Sequence, residues 1–123
     1  MQKISRRLLV ISMGMALLLP LTREAQAHAI LLESTPEIGG SAQAGPSAVH
    51  LRYNSRIDRV RSRLILTRPD KSTEVLPILN EGSDDVLNSH IDLTPGEYSI
   101  RWQVLAVDGH ITRGDIPFTV EAR

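Results

Sequence analysis

Apolar and polar residues alternate with a period of two through much of the chain beyond residue 28. Val49, Leu51 and Tyr53 interleave with His50, Arg52 and Asn54, and Tyr98, Ile100, Trp102 and Val104 interleave with Ser99, Arg101 and Gln103. Successive side chains of an extended strand point to opposite faces, so the first set of each pair is predicted to face a core and the second to face outward. The same reading gives strands over Ala29 to Ser34, Arg63 to Arg68, Thr73 to Leu79, Val86 to Leu93, Glu97 to Val107 and Gly114 to Glu121, the last with Ile116, Phe118 and Val120 inward. Turn chemistry separates them: Thr35-Pro36 and a Gly39-Gly40 loop, Pro69-Asp70-Lys71-Ser72, the polar loop Glu81 to Asp85, and Thr94-Pro95-Gly96. The 97–107 segment holds the only tryptophan and is predicted to be the central strand. About seven short strands and no amphipathic helix predict an all-β domain, an antiparallel two-sheet sandwich, Ig-like and Greek-key barrel-like in outline.

The first 27 residues break this pattern. Lys3, Arg6 and Arg7 precede an almost wholly apolar run of 14 residues, Leu8 to Leu21, too short to span a bilayer but suited to the core of a signal peptide. Ala25-Gln26-Ala27 is the small-x-small pattern read by signal peptidase, so cleavage is expected after Ala27, leaving His28 as the first residue of a single domain over 28–123. Pro20 and the Ala-x-Ala signal favour cleavage over retention as an anchor. Ser5-Arg6-Arg7-Leu8-Leu9 fits both a general secretory and a twin-arginine leader, and either route delivers the protein to the periplasm.

Removing Lys3, Arg6, Arg7, Arg23 and Glu24 with the leader leaves ten basic against thirteen acidic residues, a formal charge of −3. Six arginines do fall between Arg52 and Arg68. Asp58 sits among them and no aromatic residues interleave to stack bases, so a nucleic-acid partner is excluded in favour of a solvated face or a protein-docking patch. Cysteine is absent and Met1, Met13 and Met15 all lie in the leader, so the mature domain contains no sulfur. Without a thiolate or thioether it has no soft ligand with which to select Cu(I).

Chemistry concentrates at two points. A processed His28 presents an α-amine and an imidazole Nδ1 that can close a chelate ring on one metal ion. Asp108-Gly109-His110 forms a tight turn between the last two strands, and the intervening glycine lets carboxylate and imidazole turn towards a common point. An amine, two imidazoles and a carboxylate make an N,O-rich set that suits tetragonal Cu(II). Asp-Gly is also a common hairpin dipeptide, which is the alternative reading of Asp108. His50 and His90 read as surface histidines, and Asp84-Asp85 as a solvated loop with too few neighbouring oxygens for a hard cation.

At the front, His28-Ala29-x-Leu31-x-x-Ser34-x-Pro36-x-x-Gly39, and towards the end Pro95-Gly96-x-Tyr98-x-Ile100-x-Trp102-x-Val104, Val107-Asp108-Gly109-His110, Gly114 and Phe118-Thr119-Val120 stand in a characteristic order. In these motifs the chain resembles the CopC-type copper-resistance proteins, periplasmic copper carriers, over almost its whole mature length. The resemblance implies an Ig-like sandwich that binds one Cu(II), with His28, Asp108 and His110 as the metal ligands and no catalytic activity. It also implies copper exchange with a CopD-type inner-membrane protein, for which the arginines of 52–68 are a candidate docking face, while the chain itself is expected to act as a monomer. Two departures stand out. The methionine-rich loop that carries a Cu(I) site in some members is missing, and Asn54-Ser55-Arg56 stands where many members have a glutamate.

Two other functions use some of the same features. A histidine-brace copper redox enzyme of the lytic polysaccharide monooxygenase kind would need the same amine and imidazoles, but the chain is short and lacks aromatics for a flat sugar-binding face. Asp108 in the equatorial plane would also occupy the position oxygen needs. A metal-free Ig-like interaction module would use only a sheet edge or the arginine patch. No Ser-His-acid arrangement or phosphate loop supports a hydrolase.

Overall fold

The inward-facing residues named above meet in one core. In a computed structural model of the protein, which describes residues 28–123, Leu51, Leu64, Leu66, Leu87, Ile100, Val104 and Ile116 are fully buried and Val49, Tyr53, Phe118 and Val120 almost so. The expected leader and its cleavage point lie outside the described residues. Eight strands enclose that core: β1 (Leu31–Thr35), β2 (Gly40–Gln43), β3 (Gly45–Tyr53), β4 (Arg63–Thr67), β5 (Thr73–Leu76), β6 (Val86–Leu93), β7 (Gly96–Leu105) and β8 (Ile111–Glu121). They form a three-stranded sheet in the order β1-β3-β6 and a five-stranded sheet in the order β2-β8-β7-β4-β5, so β7 is the central strand of the larger sheet, as predicted.

The all-β sandwich agrees with the alternation that predicted it, with corrections in detail. Strand β2 was expected as loop. Its Gly-Ser-Ala-Gln sequence has no large apolar residue to signal a strand, and it forms by adding to the edge of β8. That pairing is parallel, the exception to an otherwise antiparallel set. Strands β3 and β8 begin earlier than expected, at Gly45 and Ile111. The expected strand to Val107 instead stops at Leu105, where the chain turns to pair with the loop after β3 through an Ile57–Ala106 bridge and a hydrogen bond from the Val107 amide to the Arg56 carbonyl (3.2 Å).

Trp102 shows how the site-bearing end is braced. Its ring meets Tyr53 of the opposite sheet edge-on, with centroids 5.3 Å apart, and lies over Gly114, its cross-strand partner on β8. A Cβ at position 114 would approach Trp102 Cζ2 to 2.4 Å, far inside van der Waals contact, so the glycine is what lets the indole lie flat against β8. Gly114→Ala is therefore expected to destabilise the domain by about 1–3 kcal/mol through overpacking. Urea denaturation followed by Trp102 fluorescence checks this, and an unchanged midpoint would contradict it.

Candidate metal centre

The turn between β7 and β8 is built by two main-chain hydrogen bonds. The Gly109 amide donates to the Ala106 carbonyl (2.9 Å) and the Ala106 amide to the His110 carbonyl (2.9 Å). Gly109 has φ +92°, a conformation that side chains with a Cβ rarely adopt. This geometry folds Asp108 back over the turn. Its Oδ1 accepts the His110 main-chain N–H and its Oδ2 lies 3.0 Å from His110 Nδ1, each contact at 3.0 Å. The Asp108 carboxyl is held below the ordinary aspartate range, first by the His110 main-chain N–H, then by the His110 side chain and more weakly by His28. A proton on His110 Nδ1 shared with the carboxylate leaves Nε2 with a lone pair for a metal, the usual way a carboxylate orients a ligating imidazole.

His28 arrives at this turn from the other end of the described chain. Its ring centroid is 4.7 Å from that of His110, with the planes tilted by 35°. Metal–imidazole bonds are about 2 Å long, so rings this close are within reach of a common ion. The structure therefore gathers the three predicted residues at one end of the sandwich. Among the described residues, however, no three His, Asp or Glu side chains form a ready-made metal-binding group. Both carboxylate oxygens of Asp108 are turned to His110. A further donor from this cluster would be the His28 nitrogen.

Asn54, which alternation marked only as outward-facing, and Thr112, which nothing marked, tie down the backbone that follows His28. Asn54, one residue past β3, accepts the Ile30 N–H on its side-chain Oδ1 (2.8 Å) and donates its main-chain N–H to the Ile30 carbonyl (3.1 Å). Thr112, two residues after His110, donates its hydroxyl to the Ala29 carbonyl (3.0 Å). Ala29 itself is buried, with 3% of its surface exposed. No local pattern marks either contact, because each bond joins segments distant in sequence.

The remaining candidates lie elsewhere. His50 is half-buried on β3, with Nδ1 2.7 Å from Asn88 Oδ1, rather than freely exposed as expected. His90 is exposed and lines a cleft of about 490 Å³ with Pro46, Arg68, Glu74 and Asp92, next to the β5 and β6 edges. The arginines of 52–68 do not make one face, because the chain crosses between sheets within that span. Arg52 lies on β3 and pairs with Glu33, whereas Arg63 lies on β4 of the other sheet and Arg68, just beyond it, pairs with Glu74. Arg59 is spent on the 80–86 loop, donating to the Gly82, Ser83 and Val86 carbonyls, and Arg61 sits 3.6 Å from Asp58.

A family model, the CopC domain, matches residues 31–121. Protein YobA of Escherichia coli K12 is 29% identical over 104 residues, spanning 81% of this chain and 84% of the relative. Among solved structures, CopC from Methylosinus trichosporium OB3b superposes with a TM-score of 0.71 at 23% identity, covering 78% of this chain and 96% of that one. PcoC, a methionine-rich copper resistance protein from Escherichia coli, gives a TM-score of 0.62 at 22% identity, covering 77% and 100%.

The geometry of Asp108 makes a prediction independent of any metal. Its lowered pKa means that its contribution to folding is present above the ordinary aspartate value and is lost as pH falls through the lowered one. Carbon-13 NMR titration should find the Asp108 carboxyl below an ordinary aspartate, and still below it in His110→Ala, since the main-chain N–H survives that substitution. A return to the ordinary value in His110→Ala would contradict the assignment of cause.

Proposed function

This chain belongs to the CopC family, and on that premise we propose that it is a periplasmic carrier which, once cut after Ala27, binds a single Cu(II) ion at His28, His110 and Asp108. The family is one of copper-binding carriers and not of enzymes. The observation that carries the reading is the 4.7 Å approach of the His28 and His110 rings, with Asp108 bonded to one of them. Two imidazoles from opposite ends of the described residues meet there at an exposed turn.

The chemistry of this cargo site follows from its donors. Two imidazoles, an α-amine and a carboxylate suit Cu(II), and the sulfur-free mature domain offers nothing comparable to Cu(I), in contrast with the methionine-rich solved relative. Asp108 fixes the His110 ring and keeps further lone pairs with which to meet the ion. The His110 side chain is 53% exposed, so a partner can approach the ion directly, as a carrier that gives up its cargo requires. We further propose that the recipient or donor is a CopD-type inner-membrane protein.

Processing is part of the site. Before cleavage the His28 nitrogen is an amide without an available lone pair; afterwards it is an amine of pKa about 7.7–8.0, which binds copper with release of a proton. Protein beginning at His28 should bind one Cu(II) in a spectroscopic titration. An extra alanine ahead of His28, His28→Ala and His110→Ala should each weaken binding more than about tenfold, roughly 1.4 kcal/mol. Equal affinity with the extra alanine would refute the amine, unaffected binding in His110→Ala would refute the site, and tight capture of Cu(I) would refute the choice of oxidation state.

A further inference from the structure

We propose that Asn54 and Thr112 are positioning residues for copper, clasping the backbone of Ala29 and Ile30 so that His28 is presented to His110; this rests on the carrier reading above. The residue that bears two of the proposed donors stands three positions ahead of β1, where sheet pairing does not reach it. Chain ends of this kind are poorly ordered unless something ties them down. Here three hydrogen bonds do so within two residues. Asn54 closes a two-point clasp on Ile30, its side-chain Oδ1 accepting the Ile30 N–H at 2.8 Å and its main-chain N–H donating to the Ile30 carbonyl at 3.1 Å. Thr112 takes the Ala29 carbonyl at 3.0 Å, and the Ala29 methyl is sunk in the core.

The placement of the two clasping residues is not incidental to the site. Thr112, the second residue of β8, follows His110 by two positions, so it bonds the incoming backbone close to where His110, at the end of the turn, meets the His28 ring. Asn54 follows directly on β3, the strand against which β1 pairs, and so holds the incoming segment from the opposite sheet. Together they fix the segment from both sheets. A site whose competent arrangement is populated only part of the time binds with its affinity reduced by that fraction, so releasing the clasp lowers copper affinity without removing any donor atom.

The test uses mature protein starting at His28, with Asn54→Ala, Thr112→Val and Thr112→Ser. Cu(II) affinity, the copper EPR spectrum and amide hydrogen exchange of the metal-free protein are measured for each. Asn54→Ala and Thr112→Val should weaken Cu(II) binding about tenfold, in the range found for partners that orient metal ligands. They should also turn a single EPR species into a mixture and remove protection from the Ile30 amide in Asn54→Ala, while β7 and β8 amides stay protected. Thr112→Ser, which keeps the hydroxyl, should retain the parent affinity and spectrum. Parent affinity in Asn54→Ala and Thr112→Val would overturn the proposal and leave the carrier reading standing, whereas failure of the parent protein itself to bind Cu(II) would overturn both. Loss of β7 and β8 protection in step with affinity would reduce the clasp to a structural role and also overturn it. If Asn54→Ala does not fold, the contrast between Thr112→Val and Thr112→Ser decides.

Discussion

The β7–β8 end of this molecule depends on the backbone of Ala29 and Ile30 being tied to both sheets. A histidine three residues ahead of the first strand would otherwise sample many positions, and ordering it would cost roughly 1–2 kcal/mol per residue. The Asn54 and Thr112 bonds and the burial of the Ala29 methyl offset that cost on folding. His28 is thereby held beside the hairpin turn that carries Asp108 and His110.

That turn is only as well placed as the strands beneath it. Strand β7 lies between β4 and β8 at the centre of the larger sheet, and Trp102 locks it to β8 over Gly114 and to the smaller sheet through Tyr53. The rigid part of the fold thus ends where the chemistry begins: Leu105 closes β7, Ile111 opens β8, and Asp108 and His110 lie in the loop between them. Function residing on a loop carried by a packed scaffold is the common arrangement. Asp108, Gly109 and His110 are all exposed on that loop.

Much of this was legible in the chain. The period of two marked Val49 to Tyr53, Tyr98 to Val104 and Ile116 to Val120 as core, because large apolar side chains announce which face is buried. Strand β2 was not legible, since a short edge strand of small residues owes its existence to β8 rather than to its own pattern. His28, Asp108 and His110 stood out by chemistry and by motif as residues that belong together, and the structure brings them to one place. What Asp108 does first, accepting two bonds from His110, follows from the turn and not from residue type. Asn54 was legible only as an outward-facing position and Thr112 not at all, because a polar residue at a strand end acquires meaning only from a partner far along the chain. The arginines misled for the opposite reason: neighbours in sequence from Arg52 to Arg68 are divided between the two sheets.

The central claim, that copper sits where the processed terminus meets the β7–β8 turn, is tested most directly by adding Cu(II) to nitrogen-15-labelled mature protein and following paramagnetic broadening of its amide signals. The account predicts that Ala29, Ile30, Asn54 and residues 107–112 broaden first and together, at substoichiometric copper. Broadening centred instead on His50 and His90, with the β7–β8 turn left sharp, would contradict it.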